Sequence, residues 1–175
     1  MNTEAFWNSL EFTYWTTYSF NRGERLAVVQ WQLKRQQQQL QTGGLKERIL
    51  LQKQTPALEE AANVYQARLL DKTGQLNPTA NAIQTVPVGA SESILLQRIL
   101  TASYEEGPQL GCIPIYRDAI AFYNHGQKPV NVLHICFQCM QLEGTNRERL
   151  STQIGIFGPL RDLLTKLGHE IETEY

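Results

Sequence analysis

A chain of 175 residues with a net charge of −1 is long enough to bury a core without disulfide or metal staples. Its hydrophobic fraction of 42% and charged fraction of 19% are ordinary for a globular protein, and a near-neutral chain has no overall field to recruit nucleic acid or a membrane. No run approaches ~18 continuous apolar residues, so no membrane span is expected. The start, MNTEAFWNSLEF, lacks a cationic segment followed by an apolar one, so no signal peptide is expected. Three cysteines cannot all pair with one another, which argues against a disulfide framework. Cytoplasm is the expected compartment, with thiols free or metal-bound.

Residues 12–20, FTYWTTYSF, have strand composition. Phe12, Tyr14, Thr16, Tyr18 and Phe20 share one face; Thr13, Trp15, Thr17 and Ser19 share the other. Asn21, Arg22 and Gly23 signal a turn. Residues 25–35, RLAVVQWQLKR, read two ways. As a helix they place Leu26, Val29, Leu33 and Leu40 near one stripe, followed by helix-forming glutamines. The alternation of Val29, Gln30, Trp31, Gln32 and Leu33 favours a strand. Thr42, Gly43 and Gly44 then break the chain, and residues 48–54 read as a third strand. Residues 10–54 are therefore expected to form an antiparallel meander.

Thr55 and Pro56 supply a capping hydroxyl and a first-position proline for a helix. Leu58, Ala61, Ala62, Tyr65, Leu69 and Leu70 carry it, and Gly74 stops it. Residues 74–81 read as a loop and 82–88 as a short edge strand, where Pro87 is tolerated. Ser91 begins a second helix through Ile94, Leu95, Arg98 and Ile99, and polar residues 103–111 deliver the chain to Cys112.

Residues 112–140 hold all three cysteines and two of the three histidines. Residues 119–123 and 130–137 are rich in β-branched and aromatic side chains, and the short connection contains Asn124 and Gly126. They predict a hairpin. With Tyr123 opposite Val130, Ala119 faces His134, and Cys112 falls beside Cys139 and Gln141. Val130, Val132, His134 and Cys136 share one face, and Leu133, Ile135 and Phe137 the other, so this strand is expected to be covered on both sides. Beyond it, residues 143–149 read as an exposed loop, and Ile154, Ile156 and Phe157 as a last strand. Pro159 opens a helix through Leu160, Leu163, Leu164 and Leu167, closed by Gly168.

The run CIPIYRDAIAFY followed by VNVLHICFQC resembles a pattern in small uncharacterised bacterial proteins, chiefly from the Bacteroidota. There a cysteine shortly before a proline precedes an AI-x-FY strand, and an ICF-x-C strand follows. The resemblance covers roughly residues 82–168 and implies helix–hairpin–helix order around the cysteines. Where that pattern tends to have Arg-His before the AI strand, this chain has Arg117 and Asp118. No activity comes with the resemblance.

The expected architecture is a single α+β domain over residues 1–175, an antiparallel sheet with about three helices packed on it. Its sub-units would be residues 1–73, meander plus helix, and 74–175, the cysteine-bearing hairpin with flanking helices. Among candidate chemistries, Cys136 and Cys139 form a CxxC, with Cys112 as third and His134 or His125 as fourth ligand of a zinc site. A Cys112–Cys139 disulfide that leaves Cys136 free is a second option. A Cys136–His134 dyad is a third, although strand residues two apart stand side by side rather than converge. Residues 22–53 hold seven basic residues against Glu24 and Glu47, with Trp31 among them, a pattern that on a sheet holds phosphates and stacks a base or guards a sheet edge. The absence of a recognisable catalytic set favours a non-enzymatic binding or accessory protein without a cofactor. It would contact another protein or a second copy of itself through Trp7, Trp15, Tyr18 and Trp31. The thiol-based metal or redox site at Cys112, Cys136 and Cys139 is the alternative.

Overall fold

The computed structural model describes residues 1–105, 111–151 and 153–171. In chain order the elements are α1 (Thr3–Asn8), β1 (Tyr14–Ser19), α2 (Gly23–Thr42), α3 (Leu45–Ala62), β2 (Asn81–Pro87), α4 (Ser91–Thr101), β3 (Asp118–Tyr123), β4 (Pro129–Cys136), β5 (Gln141–Glu143) and α5 (Phe157–Lys166). The strands form one antiparallel sheet in the order β2-β1-β3-β4-β5. The fold is thus α+β, as expected, with five α-helices rather than three among the described residues. None of them is long and apolar enough to cross a membrane.

Period-2 alternation explains the centre of the sheet. Every residue of β3 is buried. On one face Trp15, Ile120, Phe122, Leu133, Ile135 and Leu142 form a cluster with Leu96, Ile99 and Leu100 of α4, Leu160, Leu163 and Leu164 of α5, and Phe6 of α1. The Trp15 indole N–H donates to Ser93 Oγ at 3.1 Å, so its one polar atom is satisfied inside that core. On the other face Tyr18, Phe20, Ala119, Ala121, Val132 and Cys136 cluster with Leu69 and Tyr116. Ala119 pairs with His134 as the hairpin pattern predicts, while a bulge sets Tyr123 against Pro129 instead of Val130. Pro87 lies on the edge strand β2, where its missing N–H breaks no ladder.

The second face is covered by chain without regular structure, residues 63–80, rather than by a helix. Buried backbone outside regular structure needs hydrogen-bond partners, and side chains supply them here. Asn21 Nδ2 donates to Val64 O at 2.9 Å and Tyr116 O at 3.2 Å. Leu69 N–H donates to His134 Nε2 at 3.1 Å, and Asn77 Nδ2 donates to Arg68 O at 3.1 Å. The helix expected through residues 56–73 accordingly ends at Ala62, and Gly74, with φ of +78°, serves a turn.

The predicted meander is replaced by a helical hairpin. Residues 25–35 and 48–54 are helical. Leu26, Val29, Leu33, Gln36 and Leu40 follow a 3–4–3–4 spacing on α2, and Leu51, Thr55, Leu58 and Ala62 a 4–3–4 spacing on α3, so the two helices present an antiparallel coiled-coil seam. Val29, Gln36, Thr55 and Ala61 are the buried residues of the pair. Thr55 and Pro56 lie inside α3 rather than at its start, and Thr55 Oγ1 donates back to Leu51 O at 2.8 Å. The proline has no N–H to give the preceding turn, and the packing of α2 against α3 supports the helix across it. Ile154, Ile156 and Phe157 form a 3₁₀ turn and the start of α5, not a strand. Of the predicted loop over residues 143–149, Glu143 is buried in β5, and the exposed part is residues 145–149. Residues 106–110 of the polar connection before Cys112 lie outside the described residues.

Candidate functional site

The cysteines meet at the open end of the β3–β4 hairpin. Strand β4 ends at Cys136, and the turn before β5 has Met140 at φ +47°. This turn brings Cys139 back, so that its N–H donates to Cys136 Sγ at 3.4 Å. Cys112 is disulfide-bonded to Cys139 with a Cα separation of 5.9 Å, and Gln141 Nε2 donates to the Cys112 carbonyl at 3.5 Å. Cys136 is a free, buried thiol. In this state two of the three sulfurs proposed as zinc ligands are bonded to each other and cannot coordinate. Among the described residues no group of three or more His, Cys, Asp or Glu is arranged to hold a metal ion.

His134, the fourth ligand of that set, is fully occupied elsewhere. Its Nε2 accepts the Leu69 N–H, which leaves the proton on Nδ1, 3.3 Å from the Glu143 carbonyl. Burial, reinforced by the nearby Arg68 guanidinium, pushes its pKa down to about 4. The ring is a neutral strut between the covering loop and β5, not a base aimed at Cys136. Around it Arg68 binds Glu143 through both carboxylate oxygens, at 2.5 and 3.1 Å, and stacks on Tyr116 at 4.5 Å from the ring centroid. Tyr116 donates to Glu143 Oε2 at 3.2 Å, and burial raises its hydroxyl pKa far above the usual tyrosine range. His125 lies exposed in the hairpin loop.

The four aromatic candidates for a binding surface separate sharply. Trp15 has no exposed surface and Tyr18 is buried, its hydroxyl 2.7 Å from that of Tyr123. Trp7 packs edge-on against Phe12 and Phe122. These three serve the core, because each side chain fills space between strands and helices. Trp31, at 59% exposure, stands out in solvent on α2 with the Arg35 guanidinium 5.5 Å from its ring.

Trp31 belongs to an arm. Helices α2 and α3 pack on each other and make little contact with the other helices and strands. Twenty residues of helix reach about 30 Å. The root is fixed. Arg22, the residue before α2, donates to Asp118 Oδ2 at 2.6 Å, Arg117 O at 2.9 Å and Glu170 O at 2.6 Å. Arg25 donates to Ala80 O at 2.5 Å, and Glu60 near the end of α3 pairs with Arg147 at 2.9 Å. Asp118 also binds His169 Nδ1 at 2.7 Å. Gly168, at φ +99°, permits the reversal that puts His169 there, its N–H returning to Leu164 O at 3.0 Å. Sequence reasoning missed Arg22, Arg68, Asp118, Glu143 and His169. The one available signal was an acid, Asp118, at the mouth of an otherwise apolar strand.

Beyond its root the arm carries large apolar side chains into solvent: Val28 and Trp31 on α2, then Leu45, Ile49 and Leu50 on α3, with Leu45 75% exposed. Residues 34–53 hold five basic side chains (Lys34, Arg35, Lys46, Arg48, Lys53) against one acid, Glu47. None of the five enters an ion pair among the described residues. The phosphate-holding sheet suggested by these residues is not formed, since they lie on helices. No protein-family model matches the chain, and neither a curated protein nor a solved structure does.

Proposed function

We propose that the protein is a non-enzymatic binding protein that docks an acidic partner protein along the α2–α3 arm. The observation that carries this reading is the coincidence, on one rooted projection, of five exposed large apolar side chains and five basic ones that enter no ion pair among the described residues. Exposed apolar side chains concentrated on one element mark interaction surfaces, and Trp with Arg are the residues most enriched where binding energy concentrates. The seam residues Leu33, Leu40, Leu51 and Leu58 are only half-buried, so a partner helix laid against the pair would cover apolar surface that they leave open. The basic excess selects an acidic occupant and opposes a second copy of the same arm, which would bring like charges together.

A photo-crosslinking residue in place of Trp31, compared with one in place of exposed Lys128, tests this directly. The expected result is a partner captured at position 31 and not at 128, through an acidic segment. Capture is lost when Lys34, Arg35 and Arg48 are changed to Glu. Crosslinks only between copies of the chain, a basic captured segment, or equal yields at both positions would overturn the reading.

A further inference from the structure

We propose that Cys136 exchanges into the Cys112–Cys139 disulfide, so that the chain has two disulfide isomers and Cys112 is a thiol exposed for modification in one of them. The three sulfurs differ in their surroundings. Cys136 is held at the end of β4 and buried, and Cys139 is buried across the turn from it. Cys112 sits on exposed chain, between exposed Gly111 and Ile113. The Cys139 N–H bond to Cys136 Sγ fixes the free sulfur at the Cys139 end of the disulfide. A thiol from solvent meets the Cys112 end, whereas Cys136 reaches Cys139 from inside the fold.

Exchange proceeds by attack of a thiolate on one sulfur of a disulfide. Here Cys136 gives up its proton and its sulfur attacks Cys139 Sγ. The Cys136–Cys139 bond forms, the Cys139–Cys112 bond breaks, and the electron pair leaves on Cys112 Sγ, which takes up a proton. One disulfide and one thiol are present before and after, so no oxidant or reductant is consumed. The product bond closes a CxxC across a turn whose backbone is already reversed at Met140. The released Cys112 is no longer tied to the β4–β5 turn, while Cys136 stays at the end of β4 and Cys139 in that turn.

The test is alkylation of the native, full-length chain with iodoacetamide in the absence of reductant, followed by digestion and mass mapping. The expected product carries the label on Cys112 and a closed Cys136–Cys139 bond, and it accumulates with time because alkylation removes that isomer. Cys136→Ser and Cys136→Ala should each keep the Cys112–Cys139 bond and lose the Cys112 label, with circular dichroism confirming that they fold. Absence of label on Cys112 in the native chain overturns the proposal without reference to any variant. Equal labelling of Cys112 with and without Cys136 overturns it too, since the bond would then open by another route.

Discussion

The sheet centre and the arm use apolar side chains in opposite ways. In β3, and in β4 from Val132 onward, the apolar residues of both faces are covered, one by α1, α4 and α5 and the other by the stapled loop of residues 63–80, while Val130 at the hairpin end of β4 is half exposed. In α2 and α3 a narrow seam is covered, and Val28, Trp31, Leu45, Ile49 and Leu50 are left in water. The difference separates structure from function. A tryptophan in the sheet is there to fill volume, and a tryptophan on the arm is there to be met.

Substitution should expose that contrast at its widest with Trp15→Ala. Removing the buried indole leaves a cavity and an unpartnered Ser93 hydroxyl, and chemical denaturation should show a loss of about 4 kcal/mol. Arg68→Met comes next. It leaves Glu143 buried without its guanidinium, which should cost about 3 kcal/mol and loosen the loop that covers the second face. A comparable loss should follow acidification. His134 is neutral in the fold with its pKa lowered from 6.5 to about 4. Unfolding lets it take a proton at the higher value, so its contribution is complete above about pH 6.5 and is lost as the pH falls toward 4. The loss is about 3 kcal/mol, and His134→Gln should flatten that part of the pH profile. Trp31→Ala should be the smallest, within about 0.5 kcal/mol, while removing partner capture. A large loss of stability at Trp31 would mean that the arm lies against the body.

These opposite uses also explain what could be read from the residues alone. The β3–β4 register was legible because alternation on two covered strands leaves one pairing that satisfies both faces, and the cysteine neighbours followed from it. The arm was not legible for the converse reason. On a helix with one narrow seam and exposed hydrophobes, apolar character does not mark the inside. Val29 and Leu33 lie on the seam facing α3 and Trp31 faces solvent, yet the three sit two apart in sequence and imitate a strand. The helical stripe through Leu26, Val29, Leu33 and Leu40 was the correct alternative, and Gln36 within it obscured the heptad. The covering loop was hidden because its order comes from distant side chains, Asn21 and His134 among them.

Native-state hydrogen exchange resolved by mass spectrometry tests most directly whether the arm stands free of the sheet. Amides of α2 and α3 should exchange through an opening that leaves β1, β3 and β4 protected, with the slowest arm amides near the root at Arg22 and Glu60. Arm amides as protected as those of β3, and released only with global unfolding, would contradict the account.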